Sequence, residues 1–419
     1  MSNRDVAITG SGMIASGGVG SEQVWQSILY HPASPESRVY QMGDGSELEY
    51  PVYQAPKVNP GDWLTPFQCE WWKEEGIYDD PDFTLMMAAA RMALEDAGIR
   101  ESERESVALV IGHENLGMNR LIDGILTSTH HDGNRHPLHP ITPLLAYEAY
   151  QERFYKLQTF PYLFYLSKTL HLGGIGYVTN NACATGLYAM ELGSQLIRSG
   201  QADIVLVVCS DYAHVTEHLW LANKGFGSEK QSLRPFDLHR DGSILGDGAA
   251  AVVLESSERI QSKSSKPMYR YAGSAFKQDR WQMTLPDVTS HAYSRVMELA
   301  NSRWLRAPVD LLVPHGTGNT LWDRYEAMEI KRAFTDLPAI TAFKGYIGHT
   351  LGANSLIESI LLLKCLEHQI IPRTANYEHP DPQIHLPILA DTVERPIKRV
   401  MKSVPAYGGF IAASAFELL

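Results

Sequence analysis

Short continuous apolar runs alternate with tracts of helical period along most of this 419-residue chain, and that alternation restricts the fold more than any other feature. Val6–Thr9, Val107–Ile111, Val178–Asn181, Asp203–Val208, Ala249–Leu254, Leu311–Val313 and Ile411–Leu418 read as strands. Helices are expected over Ser21–Leu29, with Ser21 as N-cap, over Asp82–Ala97 and Ala184–Ser199, stopped by Gly98 and Gly200, and over Ser290–Trp304, Asp323–Phe334 and Ala353–Leu366. Strands that recur between helices bury their faces in an α/β design of layered sheets and helices. The polar, turn-forming tract Glu255–Pro267 (ESSERIQSKSSKP) divides the pattern into halves, 1–256 and 257–419. His31–Trp72, rich in Pro, Gly and Tyr, is expected to be irregular, and its Gly43–Trp72 part carries no motif.

Composition narrows the function classes. Lys and Arg total 36 against 48 Asp and Glu, a net charge of −12, and no basic run tracks a phosphate backbone, so nucleic acid is not an expected partner. The longest apolar pieces, such as Ile204–Val208 and Ile360–Leu363, are core-sized and fall short of a bilayer span, so no membrane association is expected. The N-terminal MSNRDVAITGSGM lacks the apolar region of a signal peptide. Four cysteines (Cys69, Cys183, Cys209, Cys365) without a CxxC pair make no disulfide scaffold, and a reducing, cytoplasmic compartment is expected.

The stretch VTNNACATGLYAMELGSQLIRSG carries the clearest chemistry. A strand-like segment ends at Asn181, a helix follows, and Cys183 sits at the joint. The positive end of a helix dipole favours thiolate, so a depressed thiol pKa is expected. Ala184, Thr185 and Gly186 are small enough to leave backbone amides open to an anionic oxygen. Cys69, Cys209 and Cys365 read as structural. Two histidines stand in glycine-lined turns at element ends, His315 in VPHGTGNTLWDRYE and His349 in KGYIGHTLGAN; such ends are where α/β folds build sites.

Taken in order, ACATG, HGTGNT and KGYIGH resemble the motifs of the β-ketoacyl-acyl carrier protein synthases, the elongating ketosynthases of fatty-acid and type II polyketide pathways within the thiolase superfamily. RPFDLHRDGSILGDGAAAVVLE (Arg234–Glu255), the N-terminal VAITGSGM and the C-terminal AYGGFIAASAFEL extend the resemblance over nearly the whole chain. It implies a thiolase-like five-layer α/β/α/β/α sandwich of two similar halves, and a decarboxylative Claisen condensation of an acyl-enzyme with malonyl-acyl carrier protein. Cys183 is then the acyl acceptor, and His315 and His349 bind the malonyl thioester carbonyl. Lys344, in KxxxGH, pairs with a glutamate and tunes the site; Asp323 and Glu326 match DxxE. Cys183 and Tyr407 supply oxyanion-hole amides, with Gly408, Thr317 and Asp323 beside the substrate. The resemblance implies no cofactor beyond the phosphopantetheine of the carrier protein, no metal, and a homodimer or a heterodimer with a chain-length-factor-like homologue. An acidic carrier protein calls for a basic patch, for which Lys224, Lys230, Arg234 and Arg240 are candidates.

The chain departs from the family pattern at Tyr407, where phenylalanine is usual, at Asn319–Thr320, in LGANS, and at Phe410–Ile411. These departures point to a specialised synthase. Four other readings compete. A structural, chain-length-type subunit lacks the cysteine, which this chain keeps; a diverged enzyme would use the same three residues without chain extension. Gly10-Ser11-Gly12-Met13-Ile14-Ala15 fits a degenerate dinucleotide fingerprint, but HPASPES at His31–Ser37 is no second strand. His130, His131, His136 and His139 have no standard zinc spacing.

Overall fold

The same strand order occurs twice. The computed structural model describes residues 5–115, 122, 126, 158–228, 230–260 and 269–419; the four histidines of His130–His139 lie outside them. In the first half, Gly176–Thr179, Ala108–Gly112, Ile204–Asp211, Gly248–Ser256 and Val6–Ala15 lie side by side in that order. Numbered along the chain, this is 3-2-4-5-1. In the second half Ala339–Ile340, Leu311–Val313, Arg399–Pro405, Phe410–Leu418 and Tyr269–Gln278 repeat it. The directions repeat as well: strands 3, 2 and 4 are parallel, and strand 5 is antiparallel to both 4 and 1. The two first strands join the halves through the pairs Val6–Tyr271, Ala7–Arg270 and Ile8–Tyr269.

Three apolar cores separate the layers. Helix Pro81–Asp96 covers the outer face of the first sheet with Phe83, Met86, Met87 and Leu94. Helices Ala292–Ala300 and Thr320–Ala333 cover the second with Tyr293, Val296, Met297 and Ile330. Between the sheets lie Thr185–Arg198 and Asn354–His368, packed on each other and on strands of both halves through Leu187, Met190, Leu356, Ile357 and Leu361. These two helices are apolar on more than one face because each meets sheet on one side and helix on the other. Each fully buried Leu or Ile there contributes roughly 1.5–3 kcal/mol. The result is the α/β/α/β/α sandwich.

Several expectations need correction. His31–Trp72 is ordered: Glu36–Gln41 and Glu47–Tyr53 form a hairpin, and Pro66–Glu74 is a helix capped by Thr65. Arg38 on the hairpin pairs with buried Asp247 at 2.5 Å, which ties this excursion to the second half of the DGSILGDG segment. The first strand runs on through its glycines to Ala15. Gly20, not Ser21, precedes the helix Ser21–Tyr30, and no side chain caps it. The Ser290–Trp304 helix is α-helical only over Ala292–Ala300 and continues as a π-turn to Leu305.

Candidate active site

The parallel strands of both halves end at one cavity of about 380 Å³, lined by Cys183, His315, His349, Thr317 and Tyr407 among others. Cys183 is delivered by a tight turn. Ala182 takes φ 50°, the left-handed region that costs a non-glycine residue about 1–2 kcal/mol. Thr185 holds this turn, accepting from the Asn181 amide at 2.8 Å and donating to the Ala182 carbonyl at 2.6 Å. The helix Thr185–Arg198 starts directly behind.

His349 comes from the turn after Lys344–Ile347, and its Nε2 lies 3.3 Å from the Cys183 sulfur. Its Nδ1 accepts the Leu351 amide at 3.0 Å. In a neutral ring the proton therefore resides on Nε2, so this imidazole is a donor towards the sulfur or a substrate oxygen. The His315 ring meets His349 edge-on, with centroids 5.1 Å apart. One ligand atom of each of the three residues lies within 4.8 Å of the others.

The electrostatics around this group are set by Glu358. Its carboxylate holds Lys344 at 3.1 Å and Lys402 at 2.6 Å, all three side chains being fully buried. Lys402 also donates to the Pro314 carbonyl at 2.8 Å, and Lys344 to the His315 carbonyl at 2.5 Å. Two ammonium groups on one carboxylate leave a net positive charge beside the histidines. Burial first, then Lys344 and Lys402, keeps His315 and His349 well below the ordinary imidazole range, so both are neutral at pH 7. The same cations oppose a dication on the Cys–His–His donor set, which by ligand type alone suits zinc. Lys402 itself is lowered to about 8, chiefly by burial.

The thiol departs from the expected behaviour. Burial, and after it the carboxyl of Glu114, pushes Cys183 well above its ordinary value, with Lys344 only partly opposing. The resting side chain is a thiol, because desolvation of the anion outweighs the dipole of the helix behind it.

The other expected site residues fall into two groups. Thr317 and Tyr407 line the cavity, where the Tyr407 ring packs against Trp220, Phe226 and Trp322 at centroid distances of 5.3, 6.0 and 5.8 Å. Glu326, Asp323, Lys344 and Gly408 stand behind the lining. Glu326 accepts the amides of His315 and Gly316 at 2.8 and 2.6 Å, and Asp323 accepts those of Thr317 and Phe236 at 3.1 and 2.7 Å. The helix Thr320–Ala333 thus pins the histidine loop by its backbone, and Asp323 is fully buried behind the cavity lining. The Gly408 amide is committed to the Met283 carbonyl at 2.8 Å. Of the four basic candidates, Arg240 is buried between Asp381 and Asp323, Arg234 pairs with Glu378, and Lys224 and Lys230 remain exposed. Glu358 is the glutamate expected beside Lys344; Lys402 and Glu114 were not anticipated, and an acid three residues beyond the apolar run Val107–Ile111 was the available signal for Glu114.

Residues 165–259 match the model of the β-ketoacyl synthase N-terminal domain and residues 269–378 that of its C-terminal domain. The chain is 28 % identical over 427 aligned positions to the tetracenomycin polyketide synthase ketoacyl synthase alpha subunit of Streptomyces glaucescens, covering 98 % of this chain and 96 % of the relative. It is 26 % identical to 3-oxoacyl-[acyl-carrier-protein] synthase 2 of Rhizobium meliloti (strain 1021), covering 97 % of each. Among solved structures, the ishigamide ketosynthase/chain length factor superimposes with a TM-score of 0.85 at 25 % identity over the full length of both chains. Shared motifs, a twice-repeated strand order and full-length relatives converge on one conclusion: the chain belongs to the β-ketoacyl synthase family.

Proposed function

We propose that this protein extends an acyl chain by decarboxylative Claisen condensation, with Cys183 as acyl acceptor and His315 and His349 as donors to the malonyl thioester. The carrying observation is the meeting of the Cys183 sulfur and two neutral imidazoles in one cavity. In the first half-reaction the thiol attacks the acyl thioester of a carrier protein; the S–C bond to Cys183 forms, the bond to the pantetheine sulfur breaks, and the proton passes to that leaving sulfur. In the second, malonyl thioester loses CO₂. The electron pair left behind becomes an enolate whose oxygen the two imidazole N–H groups stabilise. The enolate carbon attacks the acyl carbonyl, and the Cys183 sulfur departs and regains a proton. Neutral donors are needed here, because an imidazolium would hold the malonyl carboxylate and resist its loss.

The amides of Cys183 and Tyr407 suit the tetrahedral oxyanion, and Lys344 and Glu326 hold the histidines in place. The repeated strand order supports residues 1–256 and 257–419 as the two units. Carrier protein is the partner this chemistry requires, phosphopantetheine arrives as part of the substrate, and the retained cysteine favours a condensing subunit over a chain-length-type one. A solved ketosynthase complex with its chain length factor has the same fold, with a TM-score of 0.77, which makes a second homologous subunit a partner to seek beside a second copy. Among the described residues no helix is long and apolar enough to cross a membrane; free thiols at Cys69, Cys183, Cys209 and Cys365 support a cytoplasmic setting. Incubation with acyl- and malonyl-carrier protein, read by intact mass, tests the proposal. An acyl adduct on Cys183 that converts to a chain two carbons longer is expected. CO₂ release without extension, or no adduct, overturns it in favour of a diverged or a structural subunit respectively.

A further inference from the structure

Glu114 occupies, in the first half, the place that His315 occupies in the second. Each stands two residues beyond the end of strand 2 of the repeated order, Gly112 for one and Val313 for the other. The fold therefore aims both at the shared cavity, and both line it. The backbone here is rigid. His113 is buried and lies 2.6 Å from Asp82, the Asn115 amide donates to His113 Nδ1 at 2.9 Å, and Asn180 donates to the Glu114 carbonyl.

The carboxyl itself has no protein partner among the described residues. Its Oε1 is sealed from solvent and makes no hydrogen bond, and the residue lines the cavity. Gly352 makes room for it: a Cβ there would come within 3.1 Å of Glu114 Cγ and 2.9 Å of Asp211 Oδ2. A bare methylene chain laid against this carboxyl would strip its water and return nothing. Burial holds the acid at about 7, so both protonation states are populated near neutrality. A hydroxyl satisfies either state, donating to the carboxylate or accepting from the acid. A ketone serves only the acid, and an ammonium only the carboxylate.

We infer that the acyl chain carried on Cys183 bears a hydroxyl group that hydrogen-bonds Glu114, and that this residue selects hydroxylated over plain alkyl substrates. The inference rests on the acyl-acceptor role proposed for Cys183. The proximity of the two side chains places the hydroxyl towards the thioester end of the chain.

The test offers the full chain pantetheine thioesters of octanoate, 3-oxooctanoate, and octanoates hydroxylated at carbon 3, 5 or 7, and follows the adduct on Cys183 by mass spectrometry. At least one hydroxylated donor is expected to load ten-fold or more faster than octanoate and faster than the ketone. Glu114→Leu should abolish that preference, and Glu114→Gln, which still accepts and donates, should keep part of it. Equal loading of all donors by the wild-type chain, a ketone preference, or a preference unchanged in Glu114→Leu overturns the inference while leaving Cys183 as acyl acceptor. The wild-type comparison needs no variant to fold. No adduct from any donor overturns the acyl-acceptor reading, and this inference with it.

Discussion

The ammonium of Lys402 lies 2.6 Å from the carboxylate of Glu358, a group already engaged by Lys344. One carboxylate between two buried lysines leaves an excess positive charge within the shell of the two histidines. That charge, added to burial, is the physical reason both imidazoles stay unprotonated.

Lys402→Met keeps the side-chain length, removes one cation, and leaves Glu358 balanced by Lys344. A cation beside an imidazole disfavours the second positive charge, so its removal raises the His315 and His349 pKa values. Protonation then begins at a higher pH, and the acid limb of malonyl decarboxylation should move up by about one pH unit. The pH profile of CO₂ release checks this; an unmoved acid limb means that Lys402 serves packing alone.

A thiol, not a thiolate, rests at Cys183, since burial pushes it well above its ordinary value. Alkylation by iodoacetamide requires the anion. Its rate at Cys183, followed by peptide mass spectrometry, should be slow at pH 7 and still climbing at pH 9. A plateau below pH 8 would show instead that the helix dipole prevails over desolvation.

What the sequence disclosed and what it hid divide along a physical line. Cys183, His315 and His349 were legible because tight turns between strand and helix demand small neighbours, and those neighbours are local in sequence. The protonation of Cys183 was not, because it depends first on how deeply the fold buries the sulfur and then on the Glu114 carboxyl beyond the end of another strand. Lys402 and Glu358 come from separate elements, and nothing local announces that a lysine on one strand will face an acid on a helix. Arg240 read as surface charge since its partners, Asp381 and Asp323, are distant in the chain. The hairpin Glu36–Tyr53 was hidden by its half-exposed polar alternation and by Pro51, which has no N–H to give a ladder and so argues against a strand.

Glu326 fixes the histidine loop through the amides of His315 and Gly316 and accepts the Tyr293 hydroxyl at 2.8 Å. In Glu326→Ala these buried donors lose their acceptor, at roughly 1–3 kcal/mol for each group left unpaired. A loss on the order of 3 kcal/mol in urea unfolding is expected, with condensation falling far more than acyl loading, since the loop carries His315 and not Cys183. Glu326→Gln retains one acceptor oxygen and should lie between. Equal loss of both half-reactions in a stably folded variant would argue against a role confined to the histidine loop.

Gly10 and Gly12 lie on the first strand where helix Pro81–Asp96 crosses it. A Cβ at Gly12 would stand 2.2 Å from the Ala89 carbonyl oxygen, and one at Gly10 2.4 Å from that of Ala93. These glycines therefore serve the close approach of helix to sheet, which accounts for a GxG pattern without any nucleotide. The obstructing atoms are backbone and cannot swing aside, so Gly12→Ala must push the helix outward. Overpacking of this kind costs typically about 1–3 kcal/mol, and a fall of several degrees in Tm is expected. Isothermal titration should detect no binding of NAD or NADP to the parent chain. An unaltered Tm, or a dinucleotide complex lost in Gly12→Ala, would restore the ligand-binding interpretation of this turn over the packing one.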